Sequence, residues 1–293
     1  MWWWWTARCP PSGWCPGRGC PSRCDAVDAP AGPWAHRLRG MGATRDREEE
    51  EVLEDPEKLL RWPMRIVEAW DETARHRLLR VDATGHPCME DGGGRYRLPG
   101  QFVAMGAAGV PARYFAIAST PEELPVMDFL VSRGTETTDA LASLEAGDGV
   151  EVSAVFGEGY RVMAQEPPRL VVLATGSGIA AVRPVVRSLW RREPGLRART
   201  RLFYGEGAPC EHAWRDELRG WREDGAEVHL LCDAPGEGSA SRRYVQESWW
   251  DSTNEAECRE AAFVVCGATA MQDAAVVRLR EAGVPDDRIH FNH

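Results

Sequence analysis

Short apolar runs alternate with helix-like segments along the second half of the chain. Strands are predicted at residues 170–174, 201–205, 227–231, 261–267 and 289–291. Helices are predicted between them at residues 185–192, 214–224 and 271–281. In the second of these helices, Trp214, Leu218 and Trp221 recur at helical spacing. Strands that alternate with helices form a parallel sheet with helices on both faces, so we predict a Rossmann-like α/β domain over residues 167–293.

The first half of the chain has a different pattern, in which Gly, Pro and Asp separate short segments of alternating polarity. Strands are predicted at residues 65–70, 77–81, 101–105, 114–118, 128–131 and 149–153. Strands this short and closely spaced indicate a small, all-β antiparallel barrel, here over residues 61–166. One helix is predicted inside it at residues 137–144, with Thr137 or Thr138 near its N-cap. The boundary between the two domains is predicted near residues 165–168, where two prolines punctuate the chain.

The first 60 residues fit neither domain. Trp2 to Trp5 open the chain, many Pro and Gly residues follow, and no acidic residue precedes Asp25. This basic leader lacks the apolar core of a secretory signal, so it is either an organelle transit segment or sequence upstream of a true start at Met41. Residues 45–58 follow as an acidic, solvated linker. We predict that residues 1–60 are disordered and exclude them from the fold.

The composition narrows the classes of function. A net charge of −10 argues against nucleic-acid binding, and no uncharged apolar stretch is long enough to span a membrane. The spacing of Cys9, Cys15, Cys20 and Cys24 fits neither a common zinc site nor a plant-type ferredoxin cluster, so no metal site is predicted. The other cysteines are scattered, as in a reducing compartment. We expect a soluble protein of a plastid or another organelle if the leader is a transit segment, and otherwise of the cytoplasm.

One predicted strand ends at a turn that can hold a nucleotide. Residues 175–178 follow the strand at 170–174 and lead into a helix. Gly176 and Gly178 permit a tight turn and close approach to a pyrophosphate, and Ala181 takes the third small position of the G-x-G-x-x-G/A pattern. The amide groups of a helix N-terminus attract phosphate. A tight βα turn without a ligand uses similar glycines, so the motif alone leaves both interpretations open.

Two more loops, at residues 204–206 and 266–268, follow predicted strands and are expected at the same edge of the sheet. The carboxylate of Glu206 could accept hydrogen bonds from ribose hydroxyls and repel a 2′-phosphate, which favours NADH over NADPH. Its alternative interpretation is a solvated loop acid. Three arginines could instead approach a phosphate: Arg215, Arg242 and Arg243.

A barrel followed by a dinucleotide-binding domain resembles the ferredoxin–NADP reductase superfamily, the two-domain flavin reductases. The resemblance runs from about residue 62 to the C-terminus. Residues 113–119 resemble the family's flavin motif Arg-x-Tyr/Phe-Ser/Thr, and residues 134–141 resemble the phosphate-binding turn and helix start that follow it. In the second domain, residues 175–181 resemble the family's Gly-Gly-Thr-Gly-Ile-Ala-Pro motif. Residues 266–271 resemble its Cys-Gly-Pro-x-x-Met motif. Residues 115–119 and 174–179 look like the versions of a plant group, the fruit-protein-like oxidoreductases.

The resemblance implies a flavin, FAD or alternatively FMN, with NADH or NADPH as the substrate. The implied cofactor-binding residues are Arg113, Tyr114, Phe115, Ala116, Ile117, Ala118, Ser119, Thr137, Thr138, Thr175, Gly176, Ser177, Gly178, Ile179, Cys266 and Gly267. Arg113 would pair with the flavin phosphate, and Phe115 would lie against the isoalloxazine while Tyr114 packs in the core. Cys266 would lie beside the nicotinamide as the candidate catalytic residue. Tyr160 is the one nearby aromatic candidate for stacking on adenine.

Each of these residues also has an interpretation without a cofactor. Arg113 would then form a surface ion pair, the two threonines would cap a helix, and Cys266 would be an inert buried thiol. Two positions depart from the family pattern. Ala116 replaces the hydroxyl residue near flavin N5, and Ala181 replaces a proline at the helix start.

These observations predict a flavin-dependent NAD(P)H oxidoreductase. Hydride would pass from nicotinamide C4 to flavin N5, and electrons would then pass to an unidentified acceptor, for which a separate small redox protein is a candidate. Electron flow in the reverse direction is a second possibility. The alternative from another class is a non-catalytic flavin- or nucleotide-binding regulatory module, because fold does not imply activity. Four histidines are predicted to be surface or strand residues rather than catalytic ones: His212, His229, His290 and His293.

Overall fold

The computed structural model describes residues 55–89, 95–232 and 244–291. The predictions on the basic leader, on the four N-terminal cysteines, on Arg242 and Arg243 and on His293 lie outside the described residues. The described residues belong to one compact unit. The last part of the predicted linker is ordered: residues 56–58 form a 3₁₀ turn, and Glu57 Oε1 accepts a hydrogen bond of 2.5 Å from the amide of Ala112.

Six strands of the first half form one curled antiparallel sheet. The strands are β1 (Arg61–Asp71), β2 (His76–Asp82), β3 (Phe102–Ala107), β4 (Val110–Ala116), β5 (Val126–Ser132) and β6 (Gly149–Ser153), in the order β4-β3-β6-β1-β2-β5. The two edges approach each other just beyond β4, where the amide of Ala118 donates to the carbonyl of Asp128 over 2.8 Å. The predicted small barrel is confirmed in this curled form.

The interior of this sheet is filled by alternate residues of its strands, among them Ile66, Leu79, Val103 and Phe129, all buried. Helix α1 (Glu136–Ala142) adds Leu141 to the same core.

Thr135, rather than Thr137 or Thr138, caps helix α1. Thr135 Oγ1 accepts from the amide of Thr138 over 3.2 Å, and Thr138 Oγ1 accepts from the amide of Thr135 over 3.1 Å. This reciprocal pair satisfies two backbone donors at once, and it places the N-cap two to three residues before the predicted Thr137 or Thr138. Thr137 and Thr138 therefore lie inside the first turn.

The second half forms a parallel sheet covered by helices on both faces, as predicted. Its strands are β7 (Arg169–Thr175), β8 (Thr200–Glu206), β9 (Glu227–Cys232), β10 (Ala261–Cys266) and β11 (Ile289–Phe291), in the order β11-β10-β7-β8-β9. The helices are α2 (Ile179–Arg192), α3 (Arg215–Glu223), α4 (Val245–Ser252), α5 (Glu255–Glu260) and α6 (Thr269–Glu281). Helices α2 and α3 cover one face, and α4 and α6 cover the other. Strands β8 and β9 are added on one side of β7, and β10 and β11 on the other, so the strand order reverses between β7 and β10. Ligands of open α/β sheets bind beyond the carboxyl ends of the strands at such a switch point.

Candidate active site

The loops after β7 and β10 interlock at the switch point of the parallel sheet. A Cβ atom at Gly178 would lie 2.5 Å from the carbonyl oxygen of Cys266. Gly267 has φ +146° and faces Thr175, whose side chain and backbone a Cβ atom would overlap. Only glycine permits this approach at both positions. The two glycines therefore hold the predicted nucleotide turn against the Cys266–Gly267 peptide.

Thr175 ties these loops together through its side chain. Its Oγ1 accepts a hydrogen bond of 2.9 Å from the amide of Ala268. Gly205, near the end of β8, lies on the other side, where a Cβ atom would be 3.3 Å from Thr175 Cγ2. The three strand ends predicted to converge are thus brought together. The Thr175 hydroxyl oxygen therefore stabilises the crevice by binding the Ala268 amide.

The start of α2 fits a phosphate group. Gly176 has φ +56° and open space where a side chain would be, Ser177 is exposed, and Ile179 is buried under the turn. No side chain caps either the turn at 176–178 or the helix that follows. Uncapped amide groups at a helix N-terminus carry a partial positive charge, which suits a pyrophosphate.

The segment predicted to hold the flavin divides into accessible and buried parts. Arg113 is exposed, and Tyr114, Phe115 and Ala116 are half-buried at the end of β4. The next three residues are buried and engaged by protein, and their predicted role as cofactor contacts stays a prediction. Ile117 packs in the first sheet, the carbonyl of Ala118 accepts from Arg183, and Ser119 Oγ accepts from the amide of Asp128. The cause is the closure of the sheet between β4 and β5, which draws these residues inward.

The two aromatic residues of β4 lie on opposite faces of the strand, and both are half-buried. Phe115 pairs with Val103 and packs against the core of the first sheet. Tyr114 instead makes edge contacts with the rings of Phe102 and Phe156, with centroids 5.4 Å and 6.5 Å away. Neither ring is fully buried, so the prediction that Phe115 lies against an isoalloxazine stays a prediction.

Thr137 and Thr138 are half-buried in the first turn of α1, which contacts β4, the strand that carries Arg113. Arg113 Nη1 donates to the carbonyl of Ala112 over 2.8 Å. The fold thus brings the helix start and the arginine predicted for a flavin phosphate to neighbouring elements.

Cys266 ends β10 at the switch point, and burial raises the pKa of its thiol. The hydroxyl of Tyr160 lies beside it, and Tyr160 is fully buried. A Cβ atom at Gly100 would overlap the Tyr160 ring. Tyr160 is therefore enclosed by protein and does not offer a face to adenine, which corrects that prediction.

Glu206 turns into the protein at the end of β8. Its side chain is 2% exposed, and its Oε1 lies 3.6 Å from Nε2 of His76. The hydroxyl of Tyr204 donates to the same oxygen over 2.7 Å. Burial raises the pKa of Glu206 to about 7. Both interpretations of this residue, ribose acceptor and solvated loop acid, required an accessible carboxylate, and the structure contradicts both.

Residues 172–276 match the family model for the oxidoreductase NAD-binding domain. A cytochrome P450 reductase from Amycolatopsis superposes on 80% of this chain and 70% of its own, with a TM-score of 0.67 at 18% identity. A ferredoxin NADP+ reductase from Neisseria gonorrhoeae, solved with bound FAD and NADP, superposes on 76% of this chain and 92% of its own, with a TM-score of 0.58 at 17% identity. The fold is that of the ferredoxin–NADP reductases.

Two curated relatives are similar to this chain in sequence. The sulfhydrogenase 2 subunit gamma of Pyrococcus furiosus is 26% identical over 168 residues, which are 57% of this chain and 53% of that protein. The fruit protein pKIWI502 of Actinidia deliciosa is 26% identical over 206 residues, which are 65% of this chain and 64% of that protein. The chain thus spans between half and two thirds of the curated relatives it matches. The resemblance that the sequence motifs indicated is confirmed.

Sequence reasoning missed the buried histidines around Glu206. His76 in β2 is fully buried, and burial lowers its pKa to about 4. His212, predicted as a surface or strand residue, lies in the loop before α3 and is only 2% exposed. Its Nε2 donates a hydrogen bond of 2.8 Å to the carbonyl of Leu231. His229 and His290 are strand residues, as predicted. No sequence signal marks His76, since its contact with β8 depends on the docking of the two sheets.

Two classes of site are not found among the described residues. No group of three or more His, Cys, Asp or Glu side chains is placed to hold a metal ion in the part of the chain that the structure describes. Within the same residues, no helix has the length and apolar character needed to cross a membrane. Arg215, a candidate for phosphate binding, is exposed at the start of α3.

The cysteines are expected to react in the order of their exposure. Cys210 is exposed, whereas Cys266 is half-buried and burial raises the pKa of its thiol. The thiolate is the nucleophile, so iodoacetamide at pH 8 is expected to modify Cys210 at least about tenfold faster than Cys266. Peptide mapping by mass spectrometry measures both rates, and the difference should vanish in urea. A Cys266 that reacts as fast as Cys210 in the folded protein would show an activated thiolate at the switch point.

Proposed function

We propose that this chain is a flavin-dependent NAD(P)H oxidoreductase. The observation that carries the proposal is the interlocked crevice at the switch point, where Gly178 seats the uncapped start of α2 against the Cys266–Gly267 peptide. This crevice has the backbone geometry that a dinucleotide pyrophosphate needs, and it lies in a matched NAD-binding domain.

The nicotinamide nucleotide would bind along the carboxyl edge of the parallel sheet. The amide groups of residues 176–178 would hold its pyrophosphate. Cys266 would lie beside the nicotinamide, where a small, neutral side chain leaves room for a ring. Because Glu206 is buried, it neither selects ribose hydroxyls nor repels a 2′-phosphate, so NADH and NADPH both remain candidate substrates.

The flavin would lie against the end of β4. Arg113 is the exposed cation of this segment, and Thr137 with Thr138 provides hydroxyl and amide groups at the start of α1. Half-buried Phe115 and Ala116 would border the ring, with no hydroxyl at Ala116 to contact N5. These residues fit the group, and FAD is favoured because a neighbour of the same fold was solved with FAD. FMN is the alternative.

A bound flavin would accept a hydride from nicotinamide C4 at its N5 atom and pass the electrons on. The protein's own part is to hold the two ligands in register and to exclude water. Protein side chains need to donate no proton for hydride transfer, which agrees with a crevice lined by glycines, Thr175 and a neutral thiol. A separate small redox protein is the proposed acceptor, because one relative is named as a subunit of a larger enzyme.

The test is an absorbance spectrum of the purified full chain, recorded before and after anaerobic addition of NADH and then NADPH. Flavin bands that bleach with either nucleotide, followed by turnover with an artificial electron acceptor, are the expected result. Flavin bands that neither nucleotide bleaches would support the non-catalytic binding module instead. Absence of flavin bands after reconstitution with FAD and FMN would overturn the proposal and leave a nucleotide-binding domain.

A further inference from the structure

Helix α2, which begins at the nucleotide turn, presents a row of arginines to the segment that follows β4. Arg183, Arg187 and Arg191 recur every four residues and therefore share one face of the helix. Arg187 forms two hydrogen bonds to Glu123, of 2.7 Å and 2.9 Å, and Arg191 pairs with Glu122 at 2.8 Å. The first arginine of the row is the buried one, since Arg183 is 9% exposed.

Arg183 joins three elements through one guanidinium group. Its Nη1 donates to the carbonyl of Ala118 over 2.8 Å, just beyond the end of β4. Its Nε donates to Glu217 of α3 over 2.6 Å. Its Cζ lies 4.7 Å from the ring centroid of Trp214, at the start of α3. A planar cation with fixed donors can satisfy these contacts together, whereas an ammonium group offers one point charge.

The partners of Arg183 are themselves held in place. Arg187 Nε lies 3.5 Å from the other carboxylate oxygen of Glu217, so Arg183 and Arg187 of α2 both bind this carboxylate. Glu123, held by Arg187, also accepts from the amide of Thr120 over 2.6 Å. The segment from Ala118 to Glu123 is thereby fastened to α2 at both of its ends.

We propose that Arg183 is a positioning residue for hydride transfer. It fixes the end of the candidate flavin strand to the helix whose N-terminus is the candidate pyrophosphate site. Ala118 lies two residues beyond Ala116, and Arg183 lies one turn into the helix beyond Ile179. A shift of this contact would change the separation of the two binding surfaces without removing a ligand contact from either. The inference rests on the proposed function, since it assigns a geometric role within the same site.

The test compares Arg183→Gln, Arg183→Lys and the control Arg191→Gln. The control removes the same charge from the same helix face but from a half-exposed pair. Stopped-flow absorbance would measure the rate of flavin reduction at saturating NAD(P)H and the nucleotide concentration for half-saturation. A displacement of about 1 Å between reacting groups can slow a reaction about 100-fold. Arg183→Gln is expected to lower the saturated rate at least about tenfold, with half-saturation within about threefold of wild type, and Arg183→Lys to restore part of the rate.

A second measurement does not depend on flavin. Hydrogen–deuterium exchange of the cofactor-free protein is expected to quicken at residues 117–120 in Arg183→Gln, with no change there in Arg191→Gln, whose lost partner is Glu122. An unchanged saturated reduction rate in Arg183→Gln would overturn the proposal, as would an equal slowing in Arg191→Gln. A uniform loss of protection throughout the chain would overturn it in favour of a general structural role. A wild-type protein that binds no flavin would instead refute the proposed function itself, and with it the positioning role.

Discussion

Gly178→Ala is expected to destabilise the protein by about 2 kcal/mol and to weaken NAD(P)H binding at least about tenfold. The backbone at Gly178 is ordinary helical, with φ −58° and ψ −24°, so alanine is compatible with its conformation. The expected loss comes from the neighbour instead. An added Cβ would lie 2.5 Å from a carbonyl oxygen and 2.7 Å from the carbonyl carbon of Cys266. These are backbone atoms of a central strand, so the α2 turn must move away from β10, and the crevice opens.

Gly176→Ala is the matched control for this prediction. Gly176 has φ +56°, which alanine adopts with difficulty, but an added Cβ meets no atom within 4 Å. Its expected effect on unfolding free energy is therefore only about 1 kcal/mol, from backbone strain. Urea unfolding of both variants, with nucleotide titration of Gly178→Ala, makes the comparison. Equal losses of stability would show that the turn depends on glycine for its conformation and not for the contact between strands.

These two glycines illustrate what local sequence can predict. A glycine after an apolar run, followed by helical residues, identifies a strand end and a phosphate turn because both are local features. The same reasoning gave the β10 loop at Cys266 and Gly267, and both strand ends meet as expected. The parallel sheet with helices on both faces followed from the alternation of strands and helices, which is a pattern of near neighbours.

The wrong predictions concern side chains whose direction depends on distant partners. Glu206 follows β8 as predicted, but its carboxylate turns inward because Tyr204 and His76 surround it, and His76 belongs to the other sheet. Arg183 has no motif that distinguishes it from the other arginines of α2. In each case the deciding contact joins elements far apart in the chain, and the hydrophobic periodicity of the sequence does not predict such contacts.

Glu206→Gln is expected to gain stability relative to wild type as the pH rises from about 5 to about 7.5. The buried wild-type carboxyl has its pKa raised from 4.5 to about 7, so in this interval the folded protein keeps a proton that the unfolded chain releases. The stability that this proton contributes is full at low pH and is lost as the pH rises through 7. Each unit of difference between the pKa of Glu206 in the folded and the unfolded protein corresponds to about 1.4 kcal/mol, so the total change is expected to be about 3 kcal/mol.

The difference between the two proteins is the quantity to measure, because His76 opposes the effect in both. Burial lowers the pKa of His76 from 6.5 to about 4, so its contribution to stability increases with pH across that interval. In wild type the two groups largely cancel between about pH 4.5 and 6.5, whereas Glu206→Gln leaves the rise due to His76 alone. The other charged groups that act on this pair are Arg75, Arg133, Glu211 and, when protonated, His212. All four remain in the variant, so they do not enter the comparison.

Urea unfolding of wild type and Glu206→Gln at pH 5, 6, 7 and 8 tests this expectation, and Glu227→Gln, compared with wild type from about pH 3 to about pH 5, is the control of opposite sign. Burial would raise the pKa of Glu227, but hydrogen bonds from Arg201 and His229 outweigh it and lower that pKa. Wild type should therefore gain stability over Glu227→Gln as the pH rises through the acid range, while it loses stability relative to Glu206→Gln. Parallel pH profiles for wild type and Glu206→Gln would mean that Glu206 is ionised throughout. It would then form an ion pair with a protonated His76, and a negative charge would lie at the end of β8, beside the nucleotide crevice.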